Sequence, residues 1–275
     1  MPAAPASRAA RGAYDDTTHR ARIADDEAAW RSPGPPSSFR DVDVKRFERL
    51  DEAAAPDGTV LTLYRHDAAY YIRVNGVELM STRRHESEDA LAELVCAPLR
   101  ETAAARVLIG GLGLGFTLRT ALRTLGEDAE VVVVELLDAV IRWNQSPEYG
   151  LSADALADPR VRLVHDDVAN VLRASPGGFD AIMLDVDNGA DALVTSHNAR
   201  LYRDAGIRSA AAALRPGGRL AYWSADPDPA FATALRRVGL TVEVTGAHAY
   251  RGGGRLHHTL YVVRQTTRRD TVPSR

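Results

Sequence analysis

Between residues 42 and 81 apolar and polar positions tend to alternate. The runs TVLTLYRH and AYYIRVN are rich in β-branched and aromatic residues, with Asp67-Ala68 between them, and Asn75-Gly76 precedes VELMS. Runs of this kind joined by tight turns predict a small antiparallel sheet. Over 86–103 the period changes: Leu91, Leu94, Val95 and Leu99 fall on one face of a helix, with Ser87 as its N-cap. Apolar runs then alternate with helical stretches. RVLIG is followed by a helix over 116–125, EVVVVEL by one over 138–144, and VRLVH by a short one over 168–173. DAIMLD is followed by a helix over 199–214 that stops at Pro216-Gly217-Gly218, and RLAYWS by one over 229–238. This alternation predicts parallel strands joined by right-handed crossovers. TVEVTGAHAY and LHHTLYVVRQ flank RGGGR and predict a hairpin that gives the sheet an antiparallel edge. The predicted class is α/β: a Rossmann-like, mostly parallel sheet with an antiparallel C-terminal hairpin, preceded by a small β domain. The boundaries fall at a disordered tail over 1–38, the β domain over 39–84, the nucleoside-binding domain over 85–267 and a second tail over 268–275.

Composition narrows the function classes. Of 275 residues, 45% are apolar and 26% charged, as in ordinary globular proteins, and the net charge of -3 points to no polyanion partner such as a nucleic acid. Lys45 is the one lysine, so Schiff-base chemistry has little to work with. Cys96, the one cysteine, lies in the apolar pattern of the 86–103 helix and reads as core; it excludes an intramolecular disulfide and suits a reducing cytoplasm. No segment reads as a secretory signal or a membrane span, so the expectation is a soluble cytoplasmic protein. The histidines are scattered, and no metal site is expected.

The strongest local chemistry lies in Ile109-Gly110-Gly111-Leu112-Gly113-Leu114-Gly115-Phe116, between a strand and a helix. Glycines there allow a sharp turn and a close approach to a ligand, beside the polar start of a helix. Glu135 ends the next strand, where an acid can bond both hydroxyls of a ribose. His165-Asp166-Asp167-Val168 ends the third strand, where an acid and a backbone amide can read an adenine edge. Together these make an adenosine-sized crevice. NAD is less well served: Gly111, Gly113 and Gly115 form G-x-G-x-G, and Phe116 stands where the dinucleotide fingerprint has its third glycine. Asp185 and Asp187 follow the fourth strand, where an acid can take a proton from an amine or hold its cation. Asn188 beside them, and Trp223 after the fifth strand, are candidates for the acceptor pocket.

With these residues in place, the chain resembles the spermidine synthase (polyamine aminopropyltransferase) family over roughly residues 42–265, which implies a class I methyltransferase-like fold. The family's GGGDGG turn is similar to Gly110–Gly115, its ribose-binding acid matches Glu135, and its adenine-side G-D-[GA] matches Asp166-Asp167-Val168. Its catalytic aspartate matches Asp185. The departures are specific. The loop aspartate that holds the amine of decarboxylated S-adenosylmethionine falls on Gly113, the second acid of the D-S-S-D-like motif falls on Asn188, and Leu79 or Met80 stands near the polyamine-contacting Gln. The resemblance implies an S-adenosylmethionine-type cofactor, intact or decarboxylated, a small acceptor that is an amine, and a homodimer. Loss of the loop acid favours methyl transfer over aminopropyl transfer to a diamine, and a non-catalytic nucleoside-binding protein remains a third reading.

Overall fold

The structure, a computed structural model, describes residues 47–55, 58–186, 198–249 and 258–265. The predicted tails over 1–38 and 268–275, and the candidates Asp187 and Asn188, lie outside the described residues. The described residues fall within one compact unit.

The small sheet is an antiparallel meander of β1 (Glu48–Ala54), β2 (Val60–His66), β3 (Ala69–Val74) and β4 (Val77–Ser81). Asn75 and Gly76 both have positive φ, as the tight turn between β3 and β4 requires. Strand β1 (ERLDEAA) is mostly polar and gives little strand signal; it pairs along β2 as an edge.

Helix α1 (Glu86–Cys96) follows, shorter than the periodicity predicts, and tightens into a 3-10 turn over Ala97–Leu99 that contains Pro98. His85, not Ser87, is its N-cap residue, without a side-chain capping bond, and Ser87 is buried inside the first turn. Cys96 is buried in the core, where lack of water pushes its thiol up to about 12.

The second sheet has the order β10-β11-β9-β8-β5-β6-β7. It is built from β5 (Arg106–Gly110), β6 (Glu130–Glu135), β7 (Val161–His165), β8 (Phe179–Leu184), β9 (Leu214–Ser224), β10 (Leu240–Ala247) and β11 (His258–Gln265). Strands β5 to β9 run parallel, and β10 and β11 form the predicted antiparallel edge. The order reverses beside β5, which has β6 on one side and β8 on the other; ligand crevices of open α/β sheets lie at such switch points.

The remaining helices are α2 (Phe116–Thr124), α3 (Asp138–Gln145), α4 (Ala153–Leu156), α5 (Val168–Ala174), α6 (Asp204–Ala212) and α7 (Pro229–Arg237). The predicted 199–214 helix is divided into a 3-10 turn over Asn198–Tyr202 and α6. Pro216-Gly217-Gly218 does not precede β9 but lies within it, at a shift of its register against β8. One core packs α5, α6 and α7 against Leu108, Val132, Ile182 and Tyr222. The other packs α1, α2 and α3 against Ile109, Val133, Met183 and Trp223, and takes in Leu61, Leu63, Ile72 and Val74 of the small sheet. The small sheet therefore shares a core with one face of the large sheet.

Trp143 of α3 is fully buried, and its indole Nε1–H donates to Asp51 of β1 at 2.7 Å. Trp143→Phe keeps most of the packing and removes that bond, leaving the Asp51 carboxylate without it. Thermal or denaturant melts are expected to show a loss of about 1–3 kcal/mol. A change within experimental error would mean that the bond does not tie the small sheet down.

Candidate functional site

At the switch point the backbone is knitted across three strands. Gly111 N–H donates to Val134 C=O (2.8 Å) and Asp185 N–H to Gly110 C=O (2.9 Å). A Cβ on Gly111 would stand 2.1 Å from the Asp185 carbonyl, and its φ is +92°. Gly111 is thus required by close packing against β8 as well as by the turn. A Cβ on Gly115, at φ +82°, would stand 2.4 Å from that of Ser152, and one on Gly110 would meet Leu184 and Val168 at 2.9 Å.

Glu135 is buried at the end of β6 and accepts from Leu112 N–H (2.9 Å) with one oxygen and from Leu137 N–H (2.8 Å) with the other. It is no solvated loop acid. Burial pushes its carboxyl up, against the pull of the surrounding backbone N–H groups. Each oxygen can accept a second bond, which leaves a pair of acceptors for a ribose diol.

Asp167 caps α5 by accepting from Ala169 N–H (2.8 Å) and pairs with Arg200. Asp166 accepts from the Asn170 side chain and from Asp167 N–H, both at 2.7 Å, and these bonds hold it below the usual carboxylate range.

A single cavity of about 540 Å³ joins these parts. It is lined by Gly111, Gly113, Glu135, Asp166, Asp167, Val168, Asp185 and Trp223, whereas Gly110 and Gly115 support the loop from behind. The volume lies within the range of about 300–1,000 Å³ usual for small-molecule pockets. Its other walls come from the small sheet and α1, through Leu79, Met80, Ser81, Arg84 and Glu88.

Gly113, where the resembled pattern has its loop acid, lies against Met80: a Cβ there would stand 3.1–3.2 Å from the thioether. Where the family has an acid facing its amine-binding region, this chain has bare backbone against an apolar side chain.

Asp185 accepts from the Thr117 hydroxyl at 3.1 Å. Burial pushes its carboxyl up to about 6, against that bond. Glu88 lines the same cavity and is pushed up to about 8, first by burial and then by the charge of Asp185; the Ser87 hydroxyl donates to it at 2.5 Å. Two acids lining one cavity are more stable with one proton than as two full charges. Glu88 was not among the sequence candidates. Its signal was present, since Leu91, Ala92 and Val95 follow it at helical spacing on the buried face of α1. His85, close by, is structural: it stacks on Phe116 at 4.1 Å and bonds Asp89 at 2.8 Å. The His258 ring lies tilted against that of Trp223, with centroids 4.7 Å apart, and both line the cavity; His257 lies outside the described residues.

No protein-family model matches the chain. Polyamine aminopropyltransferase of Mycobacterium tuberculosis is 32% identical over 157 residues, 56% of this chain and 29% of that protein. The enzyme of the same name from Leptospira biflexa is 27% identical over 187 residues, 67% of this chain and 57% of that protein. The chain is similar to the polyamine aminopropyltransferases. It spans between about a third and somewhat over half of these relatives' length. Spermidine synthase from Thermotoga maritima superposes with a TM-score of 0.61 at 19% identity, over 80% of this chain and 73% of that one, and so shares the fold. The resemblance and the fold expected from the sequence therefore hold. The preference for methyl transfer finds no support among these relatives, whose name states aminopropyl transfer. Among the described residues no helix is long and apolar enough to cross a membrane.

The buried acids set a pH dependence. A carboxyl whose pKa is higher in the folded state loses stability as pH rises. Unfolded Glu ionises near about 4.3, whereas folded Glu88 holds its proton to about 8. Melts between pH 5 and 8.5 should show the wild type losing ground to Glu88→Gln as pH rises. Parallel curves would show that Glu88 carries its charge at no cost.

Proposed function

We propose that the chain is a transferase that moves an alkyl group from an S-adenosyl sulfonium nucleoside to the nitrogen of a small amine, with the aminopropyl group of decarboxylated S-adenosylmethionine as the favoured group. The observation that carries this is the convergence of the glycine loop, Glu135, the Asp166-Asp167 pair and Asp185 on one cavity at the switch point of the sheet. The name of the similar curated proteins supports the group transferred.

Glu135 would hold the ribose, while Asp166, Asp167 and Val168 would border the adenine. The apolar Leu136, Leu137 and Val140 would cover the nucleoside. The donor set fits a nucleoside without phosphate: acids oppose a phosphate and accept from hydroxyls and an amino group. When bound, the sulfonium nucleoside supplies an electrophilic carbon with a neutral thioether as leaving group. The residues of the chain position the acceptor, exclude water and manage its proton. An amine enters as ammonium, which has no lone pair. Asp185 holds that cation and takes one proton, which frees the nitrogen. Asp187 and Asn188, next along the chain, remain candidates to assist.

Met80 against Gly113 favours a second reading, methyl transfer from intact S-adenosylmethionine, because the ammonium of the decarboxylated form has no loop acid to meet. One comparison separates the two. Calorimetric titration is expected to show binding of the decarboxylated nucleoside, with product formed from it and an amine; binding of the intact form alone would overturn aminopropyl transfer. Asp185→Asn should lower turnover at least about 100-fold with nucleoside affinity little changed. Unchanged turnover would mean that Asp185 does not take the acceptor's proton, and nucleoside binding without any turnover in the wild type would leave a non-catalytic nucleoside-binding protein. Gly113→Asp combined with Met80→Ala, which makes room for the new side chain, should shift preference toward the decarboxylated form by about tenfold or more. No shift would mean that this end of the cavity does not face the donor's amine.

A further inference from the structure

The acceptor end of the cavity holds groups that the resemblance does not assign. Asp185 follows Leu184 in β8, and Trp223 follows Tyr222 in β9; Leu184 and Tyr222 are paired in register, so Asp185 and Trp223 are neighbours across adjacent strands. Both alternate onto the face of Met183 and Ala221, the face that α1 covers. Glu88, in the first turn of α1, lines the cavity from above that face and interacts with the charge of Asp185. Trp223 is 9% exposed and lines the cavity, and among the described residues its Nε1–H has no hydrogen-bond partner. An indole N–H donates only; an ammonium offers it nothing, whereas an oxygen does.

The other acids along the wall are engaged. Glu78 faces Arg84 at 3.8 Å, Glu135 holds backbone amides, and Asp167 pairs with Arg200. Asp166 accepts from Asn170 and from Asp167 N–H. Among the described residues this leaves Glu88 and Asp185, which accept from the hydroxyls of Ser87 and Thr117, as the acids at the Trp223 end of the cavity.

We infer that Glu88 is a second acid of the acceptor subsite, and that Glu88, Asp185 and Trp223 together select a small acceptor with one ammonium group and a hydrogen-bond-accepting oxygen beyond it, an amino alcohol rather than a plain diamine. The inference rests on the amine-transferase function proposed above. Glu88 and Asp185 clasp the ammonium; two acids that repel each other become compatible with a cation between them. Trp223 then donates to the oxygen, which removes an unsatisfied buried donor.

The test is calorimetric titration of the full chain saturated with 5′-methylthioadenosine. The probes are 4-amino-1-butanol and 1,4-diaminobutane, of similar length, each run in two buffers of different ionisation enthalpy to count protons. The wild type is expected to bind the amino alcohol about tenfold more tightly and to release a proton near pH 7, as the shared proton leaves the acid pair. Glu88→Gln should weaken both amines about tenfold and abolish the proton release, which a structural role for Glu88 would not do. Trp223→Phe, which keeps the ring, should weaken the amino alcohol alone. Diamine binding as tight as amino alcohol binding, or affinity and proton release unchanged in Glu88→Gln, would overturn the inference, as would equal losses for both amines in Trp223→Phe. Methylthioadenosine binding with no amine binding would overturn it while leaving the nucleoside site standing. Absence of methylthioadenosine binding would remove the proposed function, and the inference with it.

Discussion

A buried carboxylate holds the site together. Glu135 accepts from the Leu112 amide of the glycine loop with one oxygen and from the Leu137 amide at the start of α3 with the other. Leu112 and Leu114 anchor the loop in the core, but its glycines bring no side chains, and buried amides cannot go unbonded. Glu135 answers that need at Leu112 and ties the loop to β6 and to the start of α3. The same oxygens keep capacity for a sugar diol, so loop anchoring and nucleoside recognition fall to one residue. Gly111 completes the constraint from the other side, because only a residue without Cβ lets the loop lie against the Asp185 carbonyl.

Fixing the loop also fixes the acid at the chemical end. Asp185 is bonded through its backbone to Gly110 and through its side chain to Thr117 at the start of α2. Its carboxyl is held in a wall whose burial favours the protonated form, with Glu88 contributing a second acid from α1. Two acids in such surroundings are an unfavourable arrangement for stability. They become favourable when a cation sits between them, which is the logic of a site shaped for charge that arrives with the ligand.

The small sheet shares a core with α1, α2 and α3 and lends the cavity Leu79, Met80 and Ser81. Its placement brings Met80 over Gly113, 33 residues further along the chain, where the spermidine synthase pattern has its loop acid. An acid at 113 would crowd the thioether, and a polar residue at 80 would face bare backbone. The pair is mutually consistent, and it makes this end of the pocket apolar.

Much of this was legible in the residues alone. The change of period from two to 3.6 and back predicts the two sheets and their helices, because burial on one face imposes that spacing locally. Glycine spacing and the acids at successive strand ends locate the cofactor side, because in parallel α/β sheets those ends converge whatever the details. Boundaries were less legible where tertiary contacts override local signals: polar β1 is held by pairing with β2, and Pro216-Gly217-Gly218 is absorbed into β9 at a shift of register. Glu88 was passed over because a helix acid next to Glu86 and Asp89 looks like a solvated face, and only the docking of α1 on β8 and β9 turns it into the cavity. Sequence by itself determined the fold and the order of the strand-end residues, since these depend on periodicity and short-range backbone geometry. Tertiary structure alone decided which side chains meet across the cavity, Met80 with Gly113 and Glu88 with Asp185 beside Trp223, because long-range packing, not spacing along the chain, sets those distances.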